Sequence, residues 1–348
     1  METNSSFKAN LSQDLYFIRG IAIVLVVIGH VIGNEKNAGL RQMYNSDIFF
    51  LTWLSEFIYT FHMPIFFILS GLSFAIFSNK NTTYLAFFKS KIKRLFVPLL
   101  CWVPILFIFQ SLSKGVHFNL INIINSVIHP WFIFWFFHAL FFASVFCFVF
   151  LKSFKSQLIY LLVSIGLLVL SFYFSGMHIY LYFNIFYAFG LYIGRYLPTI
   201  EFKLKKSPIN TTLLMLCFWA AMMLTINYFL GINYNLLAKL VNGIVGFIFL
   251  YTVAVNDEFA VSLKPLKRML HLVKNNFVYL GKISMTIYLL HIPFGSGTRL
   301  LLLKVFETTN VGLHFLMGCM LAILGPVVIY HFLHSRSKIF MYSIGEGK

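Results

Sequence analysis

Negative charge is what this sequence has least of: ten Asp and Glu in 348 residues, against 27 Lys and Arg. Charged residues make up only 11% of the chain and hydrophobic ones 59%, whereas soluble domains carry roughly a quarter charged. That composition excludes an ordinary water-soluble fold. A net charge of +17 would point to nucleic acid in a soluble protein, but between membrane spans it bears on orientation, and no nucleic-acid partner is expected. Cysteine is sparse too. Cys101, Cys147, Cys217 and Cys319 stand singly in apolar runs, without the paired spacing of a zinc or redox motif, and read as small core residues. Carboxylates or thiols that would complete a metal site beside the histidines are missing, so no metal is expected. Met1 to Gln13 is polar and lacks a short apolar stretch ending in small residues. No cleavable leader is expected, and the first apolar helix remains as an anchor.

What is present is a series of apolar runs close to the ~20 residues that a bilayer-spanning helix requires. They predict an all-α, polytopic transmembrane bundle with ten spans, near residues 15–33, 57–78, 95–113, 131–151, 157–175, 178–197, 210–231, 237–256, 277–294 and 311–333. With the N-terminus in the cytoplasm, 21 of the 27 basic residues fall on inner segments or inner helix ends, and only Lys36, Arg41, Lys114, Lys239, Arg299 and Lys304 fall outside. Both termini are therefore expected in the cytoplasm. The organisation expected is a cytoplasmic segment over 1–14, a membrane domain over 15–333 and a cytoplasmic tail over 334–348. No tandem repeat or soluble domain is visible. The connection 34–56 holds Ile48-Phe-Phe-Leu-Thr-Trp53, too apolar for a solvated loop and suited to the interface or to re-entry.

Ionisable residues inside a span are expensive and so mark function. Arg19 and His30 on the first helix are eleven residues apart, which returns them to within about 20° of one face and separates them by about 16 Å along the axis. An Arg fork suits phosphate, and a neutral imidazole suits proton abstraction from a hydroxyl. The alternative reading is an Arg that snorkels to the interface and a hydrogen-bonded core His. Under the expected topology His30, His62, His138 and His291 all fall in the outer half of the bilayer. On the inner side Lys89, Lys91, Lys93 and Arg94 crowd the start of the third span, near Arg19 and Lys282.

The stretch Ile18-Arg-Gly-Ile-Ala-Ile-Val-Leu-Val-Val-Ile-Gly-His30 resembles the signature of the acyltransferase-3 family of integral-membrane O-acyltransferases. Phe61-His-Met-Pro-Ile-Phe-Phe-Ile-Leu-Ser-Gly71 is similar to the second-helix block of its fucose O-acetyltransferase-like branch. Lys91-Ile-Lys-Arg-Leu-Phe-Val-Pro98, Trp135-Phe-Phe-His-Ala-Leu140 and Leu280-Gly-Lys-Ile-Ser-Met-Thr-Ile-Tyr-Leu-Leu-His291 resemble three further blocks in the same order. The chain departs from the family at two points: Lys91 stands where an Arg is usual, and His138 where Pro is common. With no esterase-like domain after the last span, it resembles the stand-alone members.

The resemblance implies transfer of an acyl group from acyl-CoA, acetyl-CoA above all, to a hydroxyl of a cell-envelope carbohydrate or lipid-linked glycan. The membrane implied is a bacterial inner membrane. His30 is the expected base, with His62 and His291 orienting base or acceptor, although either could equally make a helix–helix hydrogen bond. Arg19, Lys91 and Arg94 are the expected grip on the CoA phosphates. Glu56, His138 and Ser284 are candidate acceptor contacts; for Glu56 a capping or surface role competes, and Ser284 lies seven residues before His291 on nearly the same face. The competing class is a transporter or flippase of a glycan, which more often shows inverted repeats.

Overall fold

A computed structural model of the chain describes residues 2–35, 38–43, 49–79, 81–114, 119–200, 212–213, 215–220, 236–256 and 267–347. Among these residues every regular element is helical. The chain divides into two compact units, Met1–Leu69 with Arg195–Val327 and Ser70–Gly194 with Val328–Lys348.

In the first unit, α1 (Glu2–Ile32) is the central element. It starts well before the expected residue 15, because Leu11 and Leu15 continue the apolar stripe of Ile18, Ala22 and Val26 at three- and four-residue spacing, and all five are buried. Helix α1 packs on α9 (Leu236–Val255), α10 (Lys267–Lys282) and α11 (Ser284–Lys304). Its closest approach is to α10. A Cβ at Gly20 would overlap the Phe277 carbonyl, and one at Gly281 would overlap the Tyr16 carbonyl, so two glycines let the backbones touch, as small residues do between membrane helices. Lys274 Nζ lies 3.2 Å from Asp14 Oδ1 and donates to the Ala254 carbonyl at 2.9 Å, tying α1, α10 and α9 together.

An unbroken helix over 277–294 is not what forms. The axis turns by 84° between α10 and α11 at Ile283. The physical reason is composition: α10 carries Arg268, His271, Lys274 and Lys282, which hydrocarbon excludes, whereas α11 opens on a nearly uncharged run. The first unit is completed by α2 (Phe49–Phe77) up to Leu69 and by α12 (Val311–Leu333) up to Val327.

The second unit holds α3 (Tyr84–Lys91), α4 (Val97–Lys114), α5 (Leu120–Ile128), α6 (Trp135–Phe154), α7 (Gln157–Ser171) and α8 (His178–Gly194). A π-helical turn over Ile92–Phe96 joins α3 to α4. Buried polar groups join α7 to α8: the Tyr160 hydroxyl donates to Asn184 Oδ1 at 2.8 Å, and Asn184 Nδ2 donates to Ser164 Oγ at 2.8 Å. Within the segment 334–348 the chain forms α13 (Lys338–Ser343), and the Ser343 carbonyl accepts from Trp102 Nε1 at 3.0 Å.

Six helices among the described residues are long and apolar enough to cross a bilayer, and the bent α10–α11 pair makes a seventh if counted as one span. The expected span near 210–231 lies largely outside the described residues. Those near 157–175 and 178–197 form helices of 15 and 17 residues, short of the ~20 that an untilted crossing needs.

Candidate active site

Near the C-terminal end of α1, His30 faces α2 and α11. Its ring centroid lies 5.1 Å from that of His291, and its Nδ1 lies 3.2 Å from the Tyr59 hydroxyl. Tyr59 also stands edge-on to His62, with centroids 5.0 Å apart. Two of the expected histidines, His30 and His62, thus meet at one tyrosine that no motif in the sequence singles out, and a third, His291, packs on His30. Tyr59 is three residues before His62, so the helical repeat puts both on one side of α2; that spacing was the available signal.

Backbone geometry sets the proton positions. His291 is 1% exposed, and its Nδ1 lies 2.7 Å from the Tyr288 carbonyl and 3.1 Å from that of Ile287. A carbonyl only accepts, so Nδ1 carries the hydrogen and Nε2 a lone pair. That Nε2 is buried without a partner, an arrangement with a real free-energy cost. His62 Nδ1 likewise donates to the Ile58 carbonyl at 2.6 Å.

His30 and His291 border a cavity lined also by Leu40, Ser296, Arg299 and His314, and His62 lies outside that lining. Its free space is small, about 20 Å³, and partly open, so a substrate meets these side chains with hydroxyl groups and does not bury a sugar ring among them. Gly33 and Gly39 take φ of +94° and +55°, conformations that side chains resist, and the Gly39 carbonyl accepts from Arg299 of the lining at 2.7 Å. From sequence Arg299 counts only as an outer charge, and His314 carries no signal at all. Eight residues past His291 on one helix, Arg299 was within reach of a facing argument; His314 was not, because α12 approaches only in the tertiary structure.

The remaining candidates do not line this cavity. Arg19 lies 5.7 Å from the Tyr16 ring, and Lys282 Nζ lies 5.9 Å from the same ring, so two cations gather about three turns of α1 from His30. Ser284 is buried in the first turn of α11, away from the cavity wall. Glu56 lies 4.0 Å from Arg41. In the second unit, His138 has Nδ1 at 3.1 Å from the Phe134 carbonyl and Nε2 at 3.0 Å from that of Val127, so its N–H, on either nitrogen, is met by a backbone carbonyl. Lys91 is in the last turn of α3, its Nζ 5.2 Å from the Phe87 ring, and Arg94 is exposed in the π turn.

A multi-pass helical membrane protein with two imidazoles packed together beside a small cavity has the parts for acyl transfer, and the family comparison points to that class. The sequence matches the acyltransferase domain family over residues 13–331. The chain belongs to the acyltransferase-3 family. It is also similar to nodulation protein NolL of Sinorhizobium fredii, 32% identical over 90 residues, which is 26% of this chain and 23% of that protein. The match thus spans about a quarter of that relative's length. No solved structure matches.

Proposed function

We propose that this protein is an O-acyltransferase that takes an acyl group from acyl-CoA, acetyl-CoA in the first instance, to a hydroxyl of a cell-envelope carbohydrate at a bacterial inner membrane. The observation that carries the reading is the His30–His291 pair at 5.1 Å, bordering a cavity of hydroxyl size. In this reading His30 holds its Nδ1–H on the Tyr59 oxygen, and Nε2 takes the acceptor's proton. The freed oxygen attacks the thioester carbonyl, the tetrahedral adduct collapses, and the CoA thiolate leaves and takes up that proton. His291 Nε2, fixed as an acceptor by its carbonyl contacts, receives the N–H newly formed on His30 and keeps the imidazolium in place.

Arg19 with Lys282, and Lys91 with Arg94, are the proposed contacts for the CoA phosphates. Arg19 and Lys282 both lie beside the Tyr16 ring, and a guanidinium fork suits a phosphate. Ten crossings with both termini cytoplasmic complete the proposal, the basic segments supplying the argument.

Mass spectrometry of envelope glycans from cells with and without the gene tests the reading. An acyl substituent that disappears with the gene and returns with it is the expected result; unchanged glycans refute it. Acyl-CoA turnover by the purified protein, with and without added glycan, separates transfer from transport of the glycan.

A further inference from the structure

His314 is a buried polar group that the proposed reaction leaves unused. It sits in the first turn of α12, 1% exposed, and Nε2 lies 2.8 Å from the Thr308 carbonyl. Nε2 therefore carries the hydrogen, and Nδ1 is a lone pair. That Nδ1 is buried with no partner, while the side chain lines the same cavity as His30 and His291. Hydrogen-bonding capacity held unpaired inside an apolar bundle is costly, and an acceptor in a hydroxyl-sized space is satisfied by an O–H. Arg299, in the same wall, is held by the Gly39 carbonyl at 2.7 Å, and among the described residues no carboxylate pairs with it. It offers N–H donors where His314 offers a lone pair. The imidazoles at one side of the cavity await a hydroxyl; the His314–Arg299 side is built for a second oxygen.

We propose that His314 and Arg299 form an acceptor subsite that reads a second hydroxyl beside the one acylated, so that the acceptor is a diol: its neighbouring O–H donates to His314 Nδ1, and its oxygen accepts from Arg299. This rests on the O-acyltransferase reading. The diol requirement is a matter of discrimination, because a site that hydrogen-bonds a hydroxyl leaves its own groups unpaired when an analogue lacks it.

The test uses the full-length purified protein in lipid nanodiscs with acetyl-CoA, and compares cis- and trans-cyclohexane-1,2-diol with cyclohexanol, measuring CoA thiol release and ester formed. Wild-type protein is expected to favour at least one diol over cyclohexanol by about tenfold or more in kcat/KM. His314→Phe is expected to erase that preference, mainly through the KM for the diol, and His314→Gln, which keeps an acceptor, to restore part of it. Transfer to cyclohexanol as fast as to both diols overturns the subsite and leaves the acyltransferase reading standing. Should no ester form with any probe, the thermal midpoint decides: stabilisation by a diol and not by cyclohexanol, lost in His314→Phe, supports the subsite while the transfer reading fails, and equal or absent stabilisation overturns the subsite. If His314→Phe does not fold, the wild-type ratio between the paired probes decides alone.

Discussion

Replacing His30 by Ala removes the proposed base from a helix whose packing does not depend on it. The side chain borders the cavity, so its truncation removes only ring edges against Tyr59 and His291, with centroids at 5.8 and 5.1 Å, and the hydrogen bond of 3.2 Å with the Tyr59 hydroxyl. Ring packing of this kind contributes about 0.5–1.5 kcal/mol per pair, and a hydrogen bond about 1 kcal/mol. The folding cost is about 2–4 kcal/mol, against an α1 that keeps Leu11, Ile18, Ala22 and Val26 buried. The catalytic cost is larger. General-base catalysis accounts for about 10²- to 10⁴-fold, or about 2.7–5.4 kcal/mol at 1.36 kcal/mol per tenfold.

Initial rates of CoA thiol release with acetyl-CoA and glycan, alongside a gel-filtration profile, separate the two effects: a monodisperse variant with a rate down at least a hundredfold is expected. His291→Ala adds a second arm. If the two imidazoles handle one proton, the double variant loses little more than the worse single variant, since groups acting as a unit are non-additive. Transfer by folded His30→Ala at near the wild-type rate, or a double loss equal to the product of the single losses, refutes the reasoning.

Tyr59→Phe removes the hydroxyl that orients His30, and a roughly 3- to 30-fold lower kcat with an unchanged donor KM is expected; a change in donor KM alone would place Tyr59 elsewhere. Arg19→Ala should raise the apparent KM for acetyl-CoA more than that for glycan, and Arg19→Lys should recover part of it, because a point charge replaces a planar fork; an effect confined to the glycan assigns Arg19 to the acceptor. Gly281→Leu forces a side chain into the Tyr16 carbonyl, so loss of folded protein on gel filtration is expected, and a wild-type yield and profile would contradict the close crossing of α1 and α10. Orientation is read with an impermeant thiol reagent on intact cells, in a background without the four native cysteines. Ile32 is fully buried and unsuited to labelling, but Glu35, Asn79, Glu307 and Ser335 are exposed. Cys at Glu35 and Glu307 should label and Cys at Asn79 and Ser335 should not; the opposite pattern inverts the topology.

Element type was legible in the sequence because hydrocarbon leaves the backbone few choices: a long apolar run must satisfy its own peptide groups, and a helix does so locally. The run 311–333 therefore matched α12, whereas α2 begins at Phe49, so that Phe49 to Glu56, expected in the connection 34–56, extend the helix by about two turns. Where charge and apolar residues share one stretch, as at 267–304, hydropathy registered a span and missed the 84° turn at Ile283, since the bend follows from packing Gly281 against Tyr16 as well as from composition.

The candidate site divides along the same line. Periodicity on a single helix put Arg19 and His30 on one face, and the order of blocks in one chain identified the family; both are properties of neighbours in sequence, which covalent geometry relates. That His30 meets Tyr59 of α2 and His291 of α11, and that His314 lines the same cavity as His30, depend on helices far apart in the chain approaching one another. Such approaches are decided by side-chain volume and by close crossings such as that of Gly20 with Phe277. Sequence alone determined that this chain lives in a bilayer as helices carrying imidazoles; only tertiary packing decided which imidazole nitrogens are left as lone pairs, because the partner carbonyls and the cavity walls come from distant turns of the chain.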